Sequence, residues 1–459
     1  MNLPIKAHPA SFRDPSGFMY RHNGGLFRFV ARRFQTHFDR AVDSGLYKTL
    51  TEKGLLLPFE TLNEQHFDRT DCYQTLRPVQ LELLSYPWEW CFDQLKDAAL
   101  VTLDCCAAAL KKGMILKDAT PLNVQFFSGR PVFIDHLSFE QYKEGEAWIA
   151  YRQFCECFLN PLLLAAYNVL DVHELYRSFP EGLSASRTAR MLPARARFNT
   201  GILLHVHLNA GIKTGSQPAG SPQRQQLSGK NITQILEHLR SIISKLQFKR
   251  GRTTWNNYYE ETVLSNEYLE NKKQLVSEFI AEIHYQTALD LGANDGVFSL
   301  LCSDEARVVA ADADSHCINR LYQICKKQRL GHILPLVQEL THPSPPGGWE
   351  LTEQVSFHER TFSDLCLALA LVHHLAIGKN ITLNMLASSF RNRCRYLLIE
   401  FVPKEDPKVQ QLLANRTDIF DDYRQDQFES TFCGQFHLLR KKPIPGSART
   451  LYLFERAKQ

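Results

Sequence analysis

The sequence lacks the features that mark exported and membrane-spanning proteins. Its first residues, MNLPIKAHPASFRDP, contain no charged region followed by an apolar stretch, so no signal peptide is visible. The most apolar segment, FLNPLLLAAYNVL at 158–170, is too short to span a bilayer and is typical of a buried helix. We therefore expect a cytoplasmic protein with no membrane span.

The sequence also lacks the patterns of metal-binding and nucleic-acid-binding proteins. Its 12 cysteines are scattered and form no C-x-x-C pair, so we expect reduced thiols that pack as small apolar residues, and no metal site. The net charge is only +4, and no run of Lys and Arg is long enough to indicate nucleic-acid binding.

The length of 459 residues and the local composition indicate more than one domain. The stretch GIKTGSQPAGSPQRQQLSGK at 211–230 is rich in Gly, Ser, Pro and Gln, which is typical of a linker. Apolar residues at helical spacing follow it. We predict an N-terminal α+β domain at 1–210, a linker and connecting helix at 211–250, and a second domain at 251–459.

From residue 260 onward, strand-like and helix-like segments alternate, which indicates an α/β fold with a parallel sheet covered on both faces. A helix is predicted at 296–303, directly after the first strand. The end of the chain differs, because two strand-like runs flank a Pro/Gly turn and predict an antiparallel hairpin at the sheet edge. The sheet is thus predicted to be mainly parallel and seven-stranded, with its first five strands at 287–291, 307–311, 333–337, 364–370 and 395–401.

The stretch TALDLGANDGVFSLL at 287–301 joins the first predicted strand to a tight turn. Asp290 lies near the end of the strand, and Gly292 and Gly296 let the backbone turn sharply and approach a ligand without a Cβ atom in the way. In open parallel sheets, ligands bind beyond the carboxyl ends of the strands. The glycine spacing matches neither a dinucleotide-binding fingerprint nor a P-loop.

LDLGANDG resembles the first motif of class I S-adenosylmethionine-dependent methyltransferases, with Asn294 at the family's middle glycine. The resemblance covers roughly 255–459 and implies a Rossmann-like methyltransferase domain that binds S-adenosylmethionine. It places Asp312 where the family has the acid that binds both ribose hydroxyls, and Glu339 near the adenine amino group. The whole chain also resembles bacterial methyltransferases related to nodulation-specificity proteins. The implied cofactor-binding residues are Asp290, Gly292, Ala293, Asn294, Gly296, Asp312, Ala313 and Glu339.

Three polar residues after the fourth and fifth strands are candidates for the methyl-transfer step. The sulfonium is already activated, so the enzyme mainly positions the reactants, and a base helps when the acceptor is a hydroxyl or an ammonium group. His373 or His374 can take that proton, and Glu400 can orient the acceptor. Alternatively, one histidine is packed, the other caps a helix, and Glu400 caps a loop. The pattern favours a small-molecule or glycan acceptor over nucleic acid and carries no signal for an oligomeric state.

The N-terminal half contains the segment GMILKDATPLNVQFFSGRPVFIDHLSFE at 113–140. It resembles the catalytic loop of protein kinases and aminoglycoside-type phosphotransferases, in which a first Asp orients the acceptor hydroxyl while an Asn and a later Asp bind magnesium. The matching residues are Asp118, Asn123 and Asp135. No Gly-rich phosphate loop or strand lysine is evident. A degenerate kinase-like domain that binds a partner or substrate, a working phosphotransferase and a chance match all remain open.

These alternatives extend to the whole chain, which is interpreted as a methyltransferase, a bifunctional kinase-like methyltransferase or a non-catalytic S-adenosylmethionine-binding protein. Three further segments hold candidate ligand contacts. TTWNNYYEET at 253–262 is a lid or a packed aromatic segment, and PSPPGGW at 343–349 borders the pocket or only connects two elements. LLHVHLN is predicted to be a strand that carries His205 and His207 on one face.

Overall fold

The computed structural model describes residues 7–63, 66, 70–210, 228–249, 266–414 and 416–457. The chain forms two compact units. Unit 1 comprises Met1–Lys249 and Pro345–Val355, and unit 2 comprises Arg250–Ser344 and Ser356–Gln459. The predicted lid at 253–262 and most of the predicted linker lie outside the described residues. None of the helices in these ranges is long and apolar enough to cross a membrane.

Unit 1 begins with a four-stranded antiparallel sheet in the order β1-β2-β4-β3. A two-residue turn at Asn23 and Gly24 joins β1 to β2, and both residues have the positive φ that tight hairpins require. Two helices lie between β2 and β3 in the sequence. The elements are β1 (Gly17–His22), β2 (Gly25–Ala31), α1 (Gln35–Asp43), α2 (Leu46–Glu52), β3 (Phe59–Leu62) and β4 (Cys72–Pro78).

The remainder of unit 1 combines one long helix, two short strand pairs and a group of smaller helices. Strand β5 pairs with β8, and β6 forms a hairpin with β7. The elements are α3 (Phe92–Leu110), β5 (Met114–Leu116), β6 (Val124–Phe127), β7 (Arg130–Phe133), β8 (Phe139–Gln141), α4 (Tyr151–Phe154), α5 (Asn160–Ala166), α6 (Val172–Ser178), α7 (Ala185–Met191), α8 (Thr200–Ile202) and α9 (Gly229–Lys245).

The prediction of a strand at LLHVHLN is wrong, because Leu203–Leu208 forms a π-helical turn. A run this short is compatible with both helical and strand periodicity. Its buried residues are the neighbours His205 and Val206, whereas a half-buried strand would bury alternate residues. His205 contacts Tyr151 and His238 through hydrogen bonds of 2.7 and 2.9 Å between ring nitrogens and the partner atoms. These contacts satisfy the imidazole without a metal.

Unit 2 has the predicted α/β fold, built on a seven-stranded sheet in the order β11-β10-β9-β12-β13-β15-β14. Only β15 runs antiparallel to the others, and it forms the predicted terminal hairpin with β14. The elements are α10 (Asn266–Ile280), β9 (Thr287–Leu291), β10 (Arg307–Asp312), α11 (Ser315–Gln328), β11 (Ile333–Val337), α12 (Phe357–Arg360), β12 (Ser363–Ala368), α13 (Val372–Lys379), α14 (Leu383–Arg391), β13 (Cys394–Phe401), α15 (Pro407–Leu413), α16 (Gln425–Cys433), β14 (Phe436–Pro443) and β15 (Thr450–Arg456).

The central strands of unit 2 are buried on both faces, which explains their nearly continuous apolar sequences. In β13, every residue except Arg395 is buried, and β9 is buried from its second residue onward. Helices α10 and α11 contribute Val276, Phe279 and Leu321 to this core. The prediction of a helix at 296–303 is wrong, since only a 3-10 turn at Ser299–Leu301 forms there.

Candidate active site

The turn after β9 is fixed against the neighbouring strand β10. The backbone N–H groups of Gly292 and Ala293 donate to the carbonyl oxygen of Ala311 at 2.9 and 3.1 Å. Gly292, Asn294 and Gly296 have positive φ values of 76°, 51° and 77°. Because L-residues other than Asn and Asp rarely adopt this region, the sequence Gly-Ala-Asn-Asp-Gly suits the turn.

The two glycines of this turn have different surroundings. A Cβ atom on Gly292 would lie 3.3 Å from Cδ1 of Leu371, which precedes α13. A Cβ atom on Gly296 would lie only 2.4 Å from Cδ1 of Leu321 on α11. Gly296 therefore allows α11 to pack closely against the turn, whereas Gly292 lies beside Leu371 at the carboxyl end of β9.

Asp290 is almost fully buried beneath the turn. Its Oδ2 atom accepts a hydrogen bond of 2.6 Å from the hydroxyl of Ser299, nine residues further along the chain. Burial raises the pKa of Asp290 to about 6, and the charge of Asp312 raises it further, whereas the Ser299 hydrogen bond lowers it. Asp290 thus stabilises the turn from the inside of the unit.

Asp312 is half-buried at the end of β10, beside the same turn. Its Oδ2 atom accepts from the backbone N–H of Asn294, and its Oδ1 atom accepts from that of Asp314, both at 2.8 Å. Burial raises the pKa of Asp312 to about 6, although both hydrogen bonds lower it. A carboxylate has about four acceptor positions, so each oxygen can accept one more donor. Ala313, the next residue, is exposed.

The end of β11 places two neighbouring polar side chains in different positions. Gln338 is buried, its N–H donates to the carbonyl oxygen of Asp312 at 2.7 Å, and its Oε1 atom accepts from Ser344 at 3.0 Å. Glu339 is half-buried, and its Oε1 atom accepts from the N–H and the hydroxyl of Thr341 at 3.0 and 2.9 Å. Burial alone would raise the pKa of Glu339, but these bonds lower it below the ordinary value.

His373 and His374 lie at the start of α13, directly after β12, with ring centroids 4.0 Å apart. His373 is fully buried, and within the described ranges neither of its ring nitrogens has a hydrogen-bond partner. Burial, together with the charges of His374 and Arg449, lowers the pKa of His373 well below its ordinary value. His374 is only half-buried, and burial lowers its pKa to about 4. Both side chains are therefore neutral at pH 7, and their lowered pKa values make both of them weaker bases than an ordinary imidazole.

Glu400 lies in what we term the buried ion cluster, formed by Tyr268, Lys272, Glu400, Asp406 and Arg449. Its Oε2 atom lies 2.5 Å from the Lys272 ammonium and accepts from the N–H of Ala370 at 2.8 Å. Its Oε1 atom accepts from the Tyr268 hydroxyl at 2.9 Å and lies 3.4 Å from the Arg449 guanidinium.

The charges of the buried ion cluster balance, because Lys272 and Arg449 face Glu400 and Asp406. Arg449 also donates two hydrogen bonds to the Asp406 carboxylate, at 2.7 and 3.0 Å. Burial alone would raise the pKa of Glu400, but the two cations lower it. The structure thus connects Glu400 to the backbone that precedes the histidine pair, and the carboxylate itself is fully buried.

The comparison with known sequences identifies one relative over nearly the whole chain. The nodulation protein NoeA of Rhizobium meliloti (strain 1021) is 34% identical over 458 residues, which covers 97% of this chain and 95% of NoeA. The chain belongs to the NoeA family. This finding confirms the predicted relation to nodulation proteins. No protein-family model matches the chain.

Two solved structures that are similar to this chain each cover less than half of it. The N-methyltransferase NodS of Bradyrhizobium japonicum WM9, in complex with S-adenosyl-L-homocysteine, is 9% identical over 45% of this chain and 94% of NodS, with a TM-score of 0.33. The bifunctional kinase-methyltransferase WbdD is 16% identical over 47% of this chain and 45% of WbdD, with a TM-score of 0.29. The sheet of unit 2 has the predicted mainly parallel, seven-stranded form, with the antiparallel strand β15 next to β13.

The kinase-like residues of this NoeA-family chain come together in unit 1. Asp118 follows β5, Asn123 ends a 3-10 turn, and Asp135 follows β7. Burial and the charge of Asp135 raise the pKa of Asp118, whereas the nearby side chains of Gln153 and Asn123 lower it. Burial alone would raise the pKa of Asp135, but the guanidinium of Arg28 lowers it below the ordinary value.

Four polar residues with prominent contacts were not predicted from the sequence of this NoeA relative. Lys272 and Arg449 complete the buried ion cluster, Gln338 bonds to Asp312, and Arg28 contacts Asp135. A signal existed for Lys272, since it occupies the apolar stripe of α10. The other three depend on contacts between distant parts of the chain.

Proposed function

We propose that this protein is an S-adenosylmethionine-dependent methyltransferase. The observation that carries the proposal is the half-buried carboxylate of Asp312 at the end of β10, beside the turn of Gly292 to Gly296. Two backbone N–H groups fix its orientation and leave one acceptor position on each oxygen. A vicinal diol, such as that of a ribose, offers two O–H donors at a matching separation.

The residues around the turn fit the remaining parts of this cofactor. Gly292 leaves the strand end open to close backbone approach, and Gln338 and Glu339 supply polar groups on the far side of Asp312. When bound, the cofactor supplies a methyl group on an activated sulfonium. The chain then has to orient the acceptor, exclude water and remove one proton if the acceptor is a hydroxyl or an ammonium group.

For proton removal, we infer that His374 acts in preference to His373. His374 is half-buried, whereas His373 is fully buried. A neutral imidazole can take a proton from an acceptor, and His374 is neutral at pH 7, although its lowered pKa makes it a weaker base. Glu400 acts as a positioning residue through Ala370, which precedes the histidines. The acceptor class proposed is a small molecule or a glycan that carries a hydroxyl or an amine.

Calorimetric titration with S-adenosylmethionine tests the cofactor assignment. Asp312→Ala removes the charged acceptor, and hydrogen bonds to charged groups contribute about 1.5–3 kcal/mol, so the dissociation constant should rise roughly 10- to 150-fold. Asp304→Asn is the control, since its side chain is 90% exposed in the turn before β10. Equal affinity of the wild type and Asp312→Ala would contradict the assignment.

Turnover separates an enzyme from a protein that only binds the cofactor. Hydroxylated and aminated small molecules and glycans are offered as acceptors, and the release of S-adenosylhomocysteine is measured. His374→Gln should lower kcat, most strongly for the acceptor with the least acidic proton, while the affinity for S-adenosylmethionine stays unchanged. An unchanged kcat would exclude His374 as the base.

A further inference from the structure

The resemblance of the segment 113–140 to phosphotransferases implies a magnesium–nucleotide site at Asp118, Asn123 and Asp135. In the structure, this segment runs through β5, the hairpin of β6 and β7, and β8, and the charge of Asp135 acts on the Asp118 carboxylate. Whether the site fits a metal ion depends on whether the carboxylate of Asp135 is free to bind one.

Both oxygens of Asp135 already accept from groups of the protein. Its Oδ1 atom lies 2.7 Å from Nη2 of Arg28 and accepts from the N–H of Leu137 at 3.1 Å. Its Oδ2 atom accepts from the hydroxyl of Ser138 at 2.5 Å. Magnesium needs near-octahedral oxygen ligands at about 2.0–2.1 Å, whereas the three donors leave the Asp135 carboxylate one acceptor position, and the Arg28 guanidinium already supplies a positive charge beside it. Across the described ranges, no three His, Cys, Asp or Glu residues are grouped to hold a metal.

Arg28 is itself a fixed part of unit 1. It lies on β2, its side chain is only 8% exposed, and the same Nη2 atom is 2.8 Å from Oδ2 of Asp14. Next to it, the Lys117 ammonium donates to the hydroxyl of Ser16 at 2.6 Å and lies 3.6 Å from Oδ1 of Asp14. Asp135 and Asp14 thus share one buried guanidinium group.

The first hairpin of unit 1 provides a second, independent argument. Phosphotransferases of the kinase type cover the nucleotide phosphates with a Gly-rich loop between two strands. Here β1 and β2 are joined by the two-residue turn Asn23–Gly24, and their pairing is continuous from Gly17–Val30 to His22–Gly25. This hairpin offers no loop in which backbone N–H groups can surround a phosphate.

We propose that the Arg28 guanidinium takes the place of a metal ion beside Asp135. Its ion pairs with Asp135 and Asp14 then have a structural role, and this segment does not catalyse phosphotransfer. These pairs connect β2 of the four-stranded sheet to the segment that follows β7 and to the residues before β1. Unit 1 accordingly contains a kinase-like motif without nucleotide chemistry, in which Asp135 makes a structural contact. This inference is independent of the methyltransferase proposal for unit 2.

Nucleotide titration of the full chain is the first test. We expect ATP to give no binding heat with the wild type, either with Mg²⁺ or with Mn²⁺, and no hydrolysis of ATP. Magnesium-dependent ATP binding by the wild type that Asp135→Asn abolishes would overturn the proposal. Adenosine without phosphates serves as the control for nucleoside binding that needs no metal.

A double-mutant cycle is the second test, because it measures the ion pair directly. Arg28→Met and Asp135→Asn should each lower the unfolding temperature by roughly 6–20 °C. The double variant should fall little further than Arg28→Met, since both changes break the Arg28–Asp135 pair. Arg21→Met, an exposed position on β1, should shift it by about 1 °C or less. If Arg28→Met fails to fold, Arg28→Lys replaces it in the cycle. Additive losses would overturn the structural role of Arg28.

Discussion

Asp312 combines a raised pKa with a position suited to binding a diol, and this combination makes binding sensitive to pH. Burial raises its pKa to about 6, so the carboxylate is ionised at pH 7 and becomes protonated as the pH falls below that value. A protonated acid has less acceptor capacity and is a weaker acceptor than the anion. The cofactor and the proton therefore compete for the same group.

We accordingly predict that the affinity for S-adenosylmethionine is nearly constant between pH 7 and pH 8 and falls below pH 6. The dissociation constant should rise by up to tenfold per pH unit, because one protonation event is coupled to binding. Isothermal titration at pH 8, 7, 6 and 5 measures this change. Asp312→Asn should show weak binding with a much flatter pH profile. A flat profile for the wild type would show that this carboxylate does not contact the ligand.

Two adjacent lysines on α10 allow a direct comparison of a buried and a surface ion pair. Lys272 and Glu400 have side chains that are 4% and 0% exposed, whereas Lys273 and Glu270 are 32% and 70% exposed. Removing one partner of a buried pair leaves a charge without compensation and costs about 3–5 kcal/mol, whereas an exposed pair contributes about 0–1 kcal/mol.

We predict that Lys272→Met lowers the free energy of unfolding by about 3–5 kcal/mol and that Lys273→Met changes it by less than about 1 kcal/mol. Urea-induced unfolding, followed by circular dichroism, gives both values. The double variant Lys272→Met/Glu400→Gln should recover part of the loss, because it removes the second charge as well. Similar losses for the two lysines would mean that the buried pair contributes no more than the surface pair.

At the level of elements, the turn that follows β9 depends on two glycines with different constraints. Both have positive φ, which costs an L-residue about 1–2 kcal/mol. Only Gly296 also meets a close neighbour, since an added Cβ atom would lie 2.4 Å from Leu321, compared with 3.3 Å from Leu371 at Gly292. Overpacking adds about 1–3 kcal/mol.

We predict that Gly296→Ala lowers the free energy of unfolding by about 2–5 kcal/mol and Gly292→Ala by about 1–2 kcal/mol. Gly292→Ala should weaken S-adenosylmethionine binding more than its loss of stability suggests, because Gly292 lies at the carboxyl end of β9, where the cofactor is proposed to bind. Gly378→Ala on α13 is the control, since nothing lies within 4 Å of the added atom and the backbone is helical. Equal losses at the two turn glycines would contradict the packing role of Gly296.

The sequence predicted most elements of unit 2 because its strands have a clear apolar pattern. The predictions for β9, β10 and β11 match the structure closely. The segment after β9 was predicted to be a helix, yet its buried residues serve the turn and α11, and only one 3-10 turn forms. Local periodicity does not show which neighbouring element a short segment will pack against.

The contacts that are distant in sequence were not predictable from patterns. Tyr268 and Glu400 are 132 residues apart, and Arg449 joins them from the terminal hairpin. In the same way, the motif of Asp118, Asn123 and Asp135 was visible in the sequence, but the ion pair between Asp135 and Arg28 was not. The motif therefore suggested phosphotransfer, and only the folded arrangement indicates a structural contact.

At the scale of the whole molecule, the cysteines are distributed through both units and share one property. All twelve are free thiols, and eleven of them are buried. Burial raises the pKa of Cys106 and Cys302 to about 12, so these thiols do not ionise at neutral pH. Since the thiolate is the nucleophile, buried thiols react slowly with reagents such as Ellman's reagent. Cys433, at the end of α16, is exposed.

We predict that one thiol per chain reacts rapidly with Ellman's reagent in the native protein and that all twelve react in denaturant without a reductant. Cys433→Ser should abolish the rapid phase and lower the denatured total to eleven. Lys272→Met and Arg28→Met each destabilise one unit. At a denaturant concentration where only one thiol of the wild type reacts rapidly, each variant should therefore expose a further group of reactive thiols. If only ten thiols of the denatured wild type react, the protein contains a disulfide. If several thiols react rapidly in the native state, the buried positions of the other cysteines are contradicted.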